Sequence, residues 1–377
     1  MAEKKSPRLM AVIGLMNRIS PPALAEEWDN SGLQIGDPQA IIERVLICLD
    51  AEEAAFEEAR RVDAQLIIAH HPLIFRPLKR ISPAEMPGQL IFRAIRQGVA
   101  VAAAHTSLDR AADGLNDWLA AHLELVDPVP LEAPATNDYC KLVVFVPVGH
   151  ETRVMDAMFA AGAGHIGAYD RCSFRIPGTG TFRGAANTDP FIGTPGLVEE
   201  AQELRLETIV PVALKQRVVE RMIIAHPYEE VAYDLIPLAN PNRSVGLGRV
   251  GRLAQATTLE AFARRVKQLL EVPAVRLVGA SDREIRKVAV CGGSGMVTYA
   301  DAVRHGADCL VTGDIKFHEA QRARNDGVAL IDAGHFGTER IMIKELAARL
   351  TSLAAEHHYQ LEVFAMTAEK DPFITVT

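Results

Sequence analysis

No stretch of this 377-residue chain interleaves basic residues with aromatics, and its formal net charge is −8 with a pI near 5.9. That balance excludes nucleic acid held through an electrostatic footprint. Long apolar runs are missing too. None reaches the ~20 residues that a membrane span needs, and the first eight residues lack the apolar core of a secretory leader. The five cysteines (Cys48, Cys140, Cys172, Cys291, Cys309) are scattered and never spaced C-x-x-C. They read as small apolar side chains in a reducing compartment. The expectation is a cytoplasmic protein with neither a membrane nor a nucleic acid as partner.

Apolar residues are plentiful. Hydrophobic side chains make up 49% of the chain and charged ones 23%, enough to fill the cores of the two or three domains that the length suggests. The pattern centres on "LIIAHHPLIF", residues 66–75. Leu66 to Ala69 read as a strand covered on both faces, and Pro72 stops the ladder just after His70 and His71. Open α/β sheets bind ligands outside the carboxyl ends of their strands.

In chain order, Ser6 and Pro7 suit the N-cap and first position of a helix from Arg8 to about Arg18. "WDNSGLQIGD", 28–37, reads locally as an Ω-like surface loop. Residues 45–50 form a strand, 51–62 a helix, 64–70 the histidine strand, 88–97 a helix and 99–105 a further strand. That alternation implies a parallel sheet with right-handed crossovers. The last of these strands ends at His105, with Asp109 four residues on. Asp109 by itself also suits the carboxylate favoured at a helix N-terminus.

Over residues 139–240 the order becomes strand, helix, two strands around Gly178-Thr179-Gly180, strand, helix, strand. It resembles the split βαβ arrangement, and Pro-rich segments flank it. The reading is an inserted ferredoxin-like α+β domain. Two parallel-sheet lobes, from 1–138 and 241–377, then form one α/β core. "GLGRVG", 246–251, matches a dinucleotide fingerprint by letter, but the chain continues extended after it, so nucleotide binding there is not expected. "GGSG", 292–295, follows a strand and suits either a tight turn or an anion on its backbone amides.

"DCLVTGD" and "VALIDAGH" are two more buried strands with polar ends, Asp314 and His335. His318 follows one turn after Asp314. His335 and Glu339 stand at i and i+4, on one helix face. His70, His71, Asp109, His335 and Glu339 therefore make three imidazoles and two carboxylates at strand ends. Such donors suit zinc, iron or manganese, and five exceed what one tetrahedral ion with an open position requires. Two divalent metal ions bridged by a carboxylate are expected. Such a pair can generate hydroxide near neutral pH for hydrolysis.

The ordered motifs "WDNSGLQIGD", "IIAHHPLIF", "HTSLD", "VAVCGGSG", "VTGDIKFHEAQ" and "GHFGTER" resemble those of the NIF-three-like dinuclear metal-centre family, the type 2 GTP cyclohydrolase homologues. The resemblance covers about residues 8–130 and 244–377. It implies that His70, His71, Asp109, His335 and Glu339 hold the ions, with Glu339 bridging. His105, Asp314 and His318 match polar positions near the site, with support of the ligands or proton transfer as their expected roles. "AHPYEEVAY" makes the insert similar to P-two and CutA proteins. The resemblance further implies a toroidal homo-hexamer acting on a small-molecule substrate, a nucleotide. The activity would be a GTP cyclohydrolase in which hydroxide generated at the ions attacks guanine C8 and formate is released. Phosphoester hydrolysis is the alternative, as is a metal-handling or regulatory protein without turnover.

Overall fold

A computed structural model describes residues 5–132, 139–240 and 244–376. The chain divides into two compact units, Met1–Ala133 with Arg243–Thr377, and Pro134–Asn242.

The first unit is mixed α/β and contains two sheets. One has the strand order Gly32–Ile35, Ala100–Ala103, Leu66–Ala69, Arg44–Cys48, Glu362–Ala365. Its last four strands run parallel and the first is antiparallel. Leu66–Ala69 lies at the centre and is buried at every position, as its lack of polar alternation requires. The other sheet has the order Arg276–Val278, Ala329–Asp332, Cys309–Thr312, Glu284–Val290, Arg249–Thr258, Val126–Pro130. Only Glu284–Val290, Cys309–Thr312 and Ala329–Asp332 are mutually parallel. The other three strands pair antiparallel, so both sheets are mixed rather than parallel throughout.

One apolar core joins these sheets. It takes in Ile47, Ile68 and Val101 from the first, Val288, Val311 and Ile331 from the second, and the inner faces of helices Leu9–Ile19 and Ile341–Glu356. Among the described residues, no helix is long and apolar enough to cross a membrane.

Three local expectations are corrected. "WDNSGLQIGD" does not stay a surface loop: Gly32–Ile35 pairs with Ala100–Ala103, and the Asp29 side chain is buried at its start. The first helix begins at Leu9, because the Ser6 hydroxyl donates to Glu43 at 3.0 Å and Pro7 accepts from the Ile42 amide. The Pro-rich stretch before residue 139 opens with a strand, Val126–Pro130, at the edge of the second sheet. Prolines are tolerated there because an edge strand leaves amides unpaired.

"GLGRVG" leads into the strand Arg249–Thr258, with Gly251 inside it, so no helix N-terminus meets a phosphate. Its chemistry is carried by Arg249, whose side chain is 1% exposed. The guanidinium pairs with both Asp117 oxygens, at 2.5 and 2.7 Å, and donates to the carbonyls of Gly246, Gly248 and Ala111.

The second unit has one four-stranded antiparallel sheet, in the order Ser173–Phe182, Glu199–Pro211, Tyr139–Pro147, Tyr233–Pro237. Helices Glu151–Ala160 and Lys215–Ala225 contribute Val154, Met158, Val218 and Met222 to its separate core. The two short strands expected around Gly178-Thr179-Gly180 are a single strand. Both glycines stay extended and pair with Glu203 and Ala201 of a longer neighbour.

Removing a buried charge's partner typically costs 3–5 kcal/mol. Arg249→Met should therefore lower urea stability of the full chain by about that amount, since it strands Asp117 and three carbonyls. An unchanged denaturation midpoint would show that this pair contributes no net stability.

Candidate metal centre

All parallel strands of a sheet end on the same side, so the polar residues that follow them line one edge. In the first sheet these are Asp50, His70 with His71, and His105 followed by the short helix Thr106–Arg110. In the second they are the 292–295 turn, Asp314, and the short helix His335–Glu339. The two edges bring His70, His71, Asp109, His335 and Glu339 together.

Glu339 is the hub. It is 5% exposed, on a helix whose start at a strand end turns it inward. Its Oε1 lies 3.6 Å from His70 Nε2, which is also 3.6 Å from Asp109 Oδ1. Its Oε2 lies 3.1 Å from His71 Nε2 and 3.0 Å from His335 Nε2. Those two imidazole nitrogens are 3.3 Å apart. Among the described residues, His70, His71 and Glu339 have ligand atoms all within 4.8 Å of one another.

Each imidazole is held from behind by an atom that can only accept. His70 Nδ1 donates to the Ala104 carbonyl at 2.7 Å, His71 Nδ1 to Asp50 at 3.0 Å, and His335 Nδ1 to Asp314 at 2.7 Å. In the neutral ring this leaves the lone pair on Nε2, aimed at the centre. Such support is what orients a metal-binding histidine. His105 follows the same rule through Asp29 at 2.7 Å, and its ring centre is 5.3 Å from that of His70 and 5.7 Å from that of His71.

Two buried side-chain atoms here, His70 Nε2 and Asp109 Oδ1, have no hydrogen-bond partner among the described residues, and Glu339 Oε2 has none when the His71 and His335 rings are neutral. Buried polar groups are nearly always satisfied, so the cluster fits a bound cation, and a His/Glu set that could hold a metal ion is present.

The protonation balance reflects the crowding. Burial opposes ionisation of Glu339, yet His70, His71 and His335 hold its carboxyl well below the usual range. Burial also opposes charge on His71, but Asp50 and Glu339 push it up to about 10. The Glu339 contact outweighs burial at His335, which rises to about 9. Burial raises Asp109. At Asp29, bonds from His105, Thr106 and Ser31 overturn the effect of burial and hold it low.

The glycine turn makes the cluster possible. A Cβ on Gly293 would stand 2.2 Å from Glu339 Oε1, and its φ of +58° is one that glycine adopts without strain. The turn is no anion cradle. The Gly292, Gly293 and Gly295 amides donate to Asn116, Thr338 and Thr312 side chains.

Of the three accessory positions, His105 and Asp314 stand at the cluster, while His318 is exposed with its Nδ1 on Gln321. Asp50 and Asp29 were not singled out from sequence. The signal for Asp50 was there, an acid two residues after the buried strand "VLIC". Asp29 had no such signal, because its segment shows no period.

The profile of the Duf34/NIF3 (NGG1p interacting factor 3) family matches residues 7–372. A protein of Halalkalibacterium halodurans named "GTP cyclohydrolase 1 type 2 homolog" is 46% identical over 96% of this chain and 97% of its own length. One of the same name from Bacillus subtilis is 42% identical over 98% and 99%. Among solved structures, a Bacillus cereus protein related to NIF3 superposes with a TM-score of 0.90 at 41% identity, covering 99% of this chain and 100% of that one. A Staphylococcus aureus protein does so with a TM-score of 0.81 at 30% identity, covering 98% and 99%. With a family match along nearly the whole length and relatives this similar end to end, the chain belongs to the Duf34/NIF3 family.

Proposed function

We propose that this chain is a dinuclear metal-dependent hydrolase resembling type 2 GTP cyclohydrolase. The observation that carries the reading is a set of buried atoms at one point, His70 Nε2 and Asp109 Oδ1 without partners among the described residues, and Glu339 Oε2, which lacks one when the rings are neutral. Leaving such groups unsatisfied costs about 1–3 kcal/mol each, and more when charged. Glu339 divides the donors into two sets. Oε1 faces His70, whose Nε2 also faces Asp109; Oε2 faces His71 and His335. These sets would hold two divalent ions, zinc, iron or manganese by donor type, with Glu339 between them. When bound, such a pair lets water act as a nucleophile near neutral pH.

The chain's own residues orient the site. Asp50 and Asp314 fix His71 and His335, and Ser294 donates to Asp314 at 2.6 Å, steadying it in turn. His105, anchored on Asp29, is the residue placed to hold or move a proton beside His70 and His71. His318 takes no part in this proposal.

The relatives' name makes GTP the first substrate to try, with attack at guanine C8, ring opening and formate release. Phosphoester cleavage is the second chemistry. One observation favours a metal-handling role instead. A cavity of about 640 Å³ beside His71 and His335 is lined by Asp50, Asp314, Asp332 and Asp371, and its Arg276 is already paired with Asp332. That wall suits the approach of cations better than that of a polyphosphate.

The proposal extends to residues 139–240 as an inserted ferredoxin-fold domain of the P-two/CutA kind, and to a homo-hexamer. The insert reading is supported by the sheet order, in which the first strand lies between the third and fourth and the second is outermost. Excising 139–240 and bridging the gap with a short flexible linker should leave a folded protein that still takes up metal. An insoluble product would contradict the separate-domain reading.

Elemental analysis of protein purified without chelator should find two ions per chain, and Glu339→Gln should lose both. Metal-replete protein should release formate from GTP. Phosphate release alone would select the second chemistry, and tight metal without either product the handling role.

In metal-free protein, Glu339 with Asp50 or Asp314 keeps His71 and His335 protonated up to about 10 and about 9. These values lie above the ~6.5 of a free imidazole. Their stabilising effect is thus complete below about pH 6.5 and is lost as the pH rises through the folded values. Melting of the metal-free protein should accordingly fall between those limits. Metal uptake at pH 7.5 should release protons, read by calorimetry in buffers of different ionisation enthalpy. A buffer-independent heat would contradict the assignment.

A further inference from the structure

The 139–240 unit carries a half-open cavity of its own, about 450 Å³, within the size range of small-molecule sites. Phe182 and Phe191 each stand 6.2 Å from Tyr228, centre to centre, tilted at 55° and 47°. Three aromatic rings thus line one space.

Glu203, 8% exposed, also lines it. Among the described residues its carboxylate accepts one hydrogen bond, from the Tyr228 hydroxyl to Oε1 at 2.9 Å. A carboxylate can accept about four. No lysine or arginine pairs with it among the described residues. The nearby imidazole cannot supply a positive charge either. His226 Nε2 donates to the Phe145 carbonyl at 2.9 Å and its Nδ1 accepts from the Tyr228 amide at 3.1 Å, which fixes the neutral ring. Glu203 Oε2 sits close against the neighbouring strand. It lies where a Cβ on residue 180 would come within 2.2 Å, so glycine at 180 is what lets the carboxylate rest against that strand.

A buried carboxylate without a cation is costly, and aromatic faces attract cations, most strongly where water is excluded. The rim adds Glu229 and Glu230 against Arg183. An apolar neutral ligand would fill the space but leave Glu203 uncompensated. We propose that this cavity binds a small organic cation of the ammonium class, with Glu203 as counter-charge and Phe182, Phe191 and Tyr228 as walls. The proposal is independent of the metal centre.

The test titrates the full chain by calorimetry with 2-phenylethylammonium, tetramethylammonium and the neutral 2-phenylethanol. At least one cation should bind one per chain, about tenfold or more tighter than 2-phenylethanol. Glu203→Gln keeps the volume and an acceptor for Tyr228, and should abolish that preference. Phe191→Ala, at an exposed ring, should weaken the cation several-fold and serves as the second variant should Glu203→Gln not fold. Equal affinity for the neutral analogue, binding undiminished in both variants, or no binding of either cation up to about 10 mM would overturn the proposal.

Discussion

A carboxylate set in the protein interior with three imidazole nitrogens around it, and a second carboxylate beside one of them, is the arrangement on which the first unit depends. Glu339 reaches that position because its strand, Ala329–Asp332, is buried along its whole length and stops just before the glycine that opens the helix. His70 and His71 arrive the same way from Leu66–Ala69. Parallel pairing does the collecting, since strands that share a direction share an edge for their carboxyl ends. Two such edges supply donors that neither sheet could assemble alone.

Holding like-signed and unpartnered groups this close requires rigid surroundings. The common core of the two sheets provides them, with Val288, Val311 and Ile331 packed in the same cluster as Ile47 and Ile68. A second layer of polar contacts fixes the rings themselves. Ala104, Asp50 and Asp314 each accept a hydrogen bond from an Nδ1, so ring orientation is set before any ion arrives and Nε2 is the nitrogen left to face it. Gly293 completes the arrangement by leaving room where any side chain would meet Glu339. Arg249 does comparable work elsewhere in the unit, drawing Asp117 and three carbonyls to one guanidinium.

Much of this was legible as pattern. "LIIA", "AVAA", "CLVT" and "ALID" lack polar alternation, and all four are fully buried central strands. The polar residues after them were legible for the same reason, because a histidine or acid that ends an apolar run has few structural explanations. What escaped were features whose signal is not periodic. Gly32–Ile35 is a strand of four half-buried residues, too short and too mixed to stand out beside "WDNS". The edge strand Val126–Pro130 is likewise masked by its prolines. The turn at 292–295 carries the letters of an anion cradle, yet Asn116, Thr338 and Thr312, remote in sequence, occupy its amides.

The sequence by itself determined the alternation of buried strands and amphipathic helices, the five candidate donors, and the change of pattern after residue 138. These are local properties, set by periodicity and by where an apolar run ends. Only the tertiary structure decided that Asp50 and Asp29 stand behind His71 and His105, that one Glu339 oxygen faces His70 and the other His71 and His335, and that His318 faces solvent. It alone decided that Glu203 is buried among aromatic rings with no lysine or arginine paired to it among the described residues. The reason is physical: a side chain's protonation and partners depend on distances between segments far apart in the chain, and those distances exist only once the sheets have paired and the cores have closed.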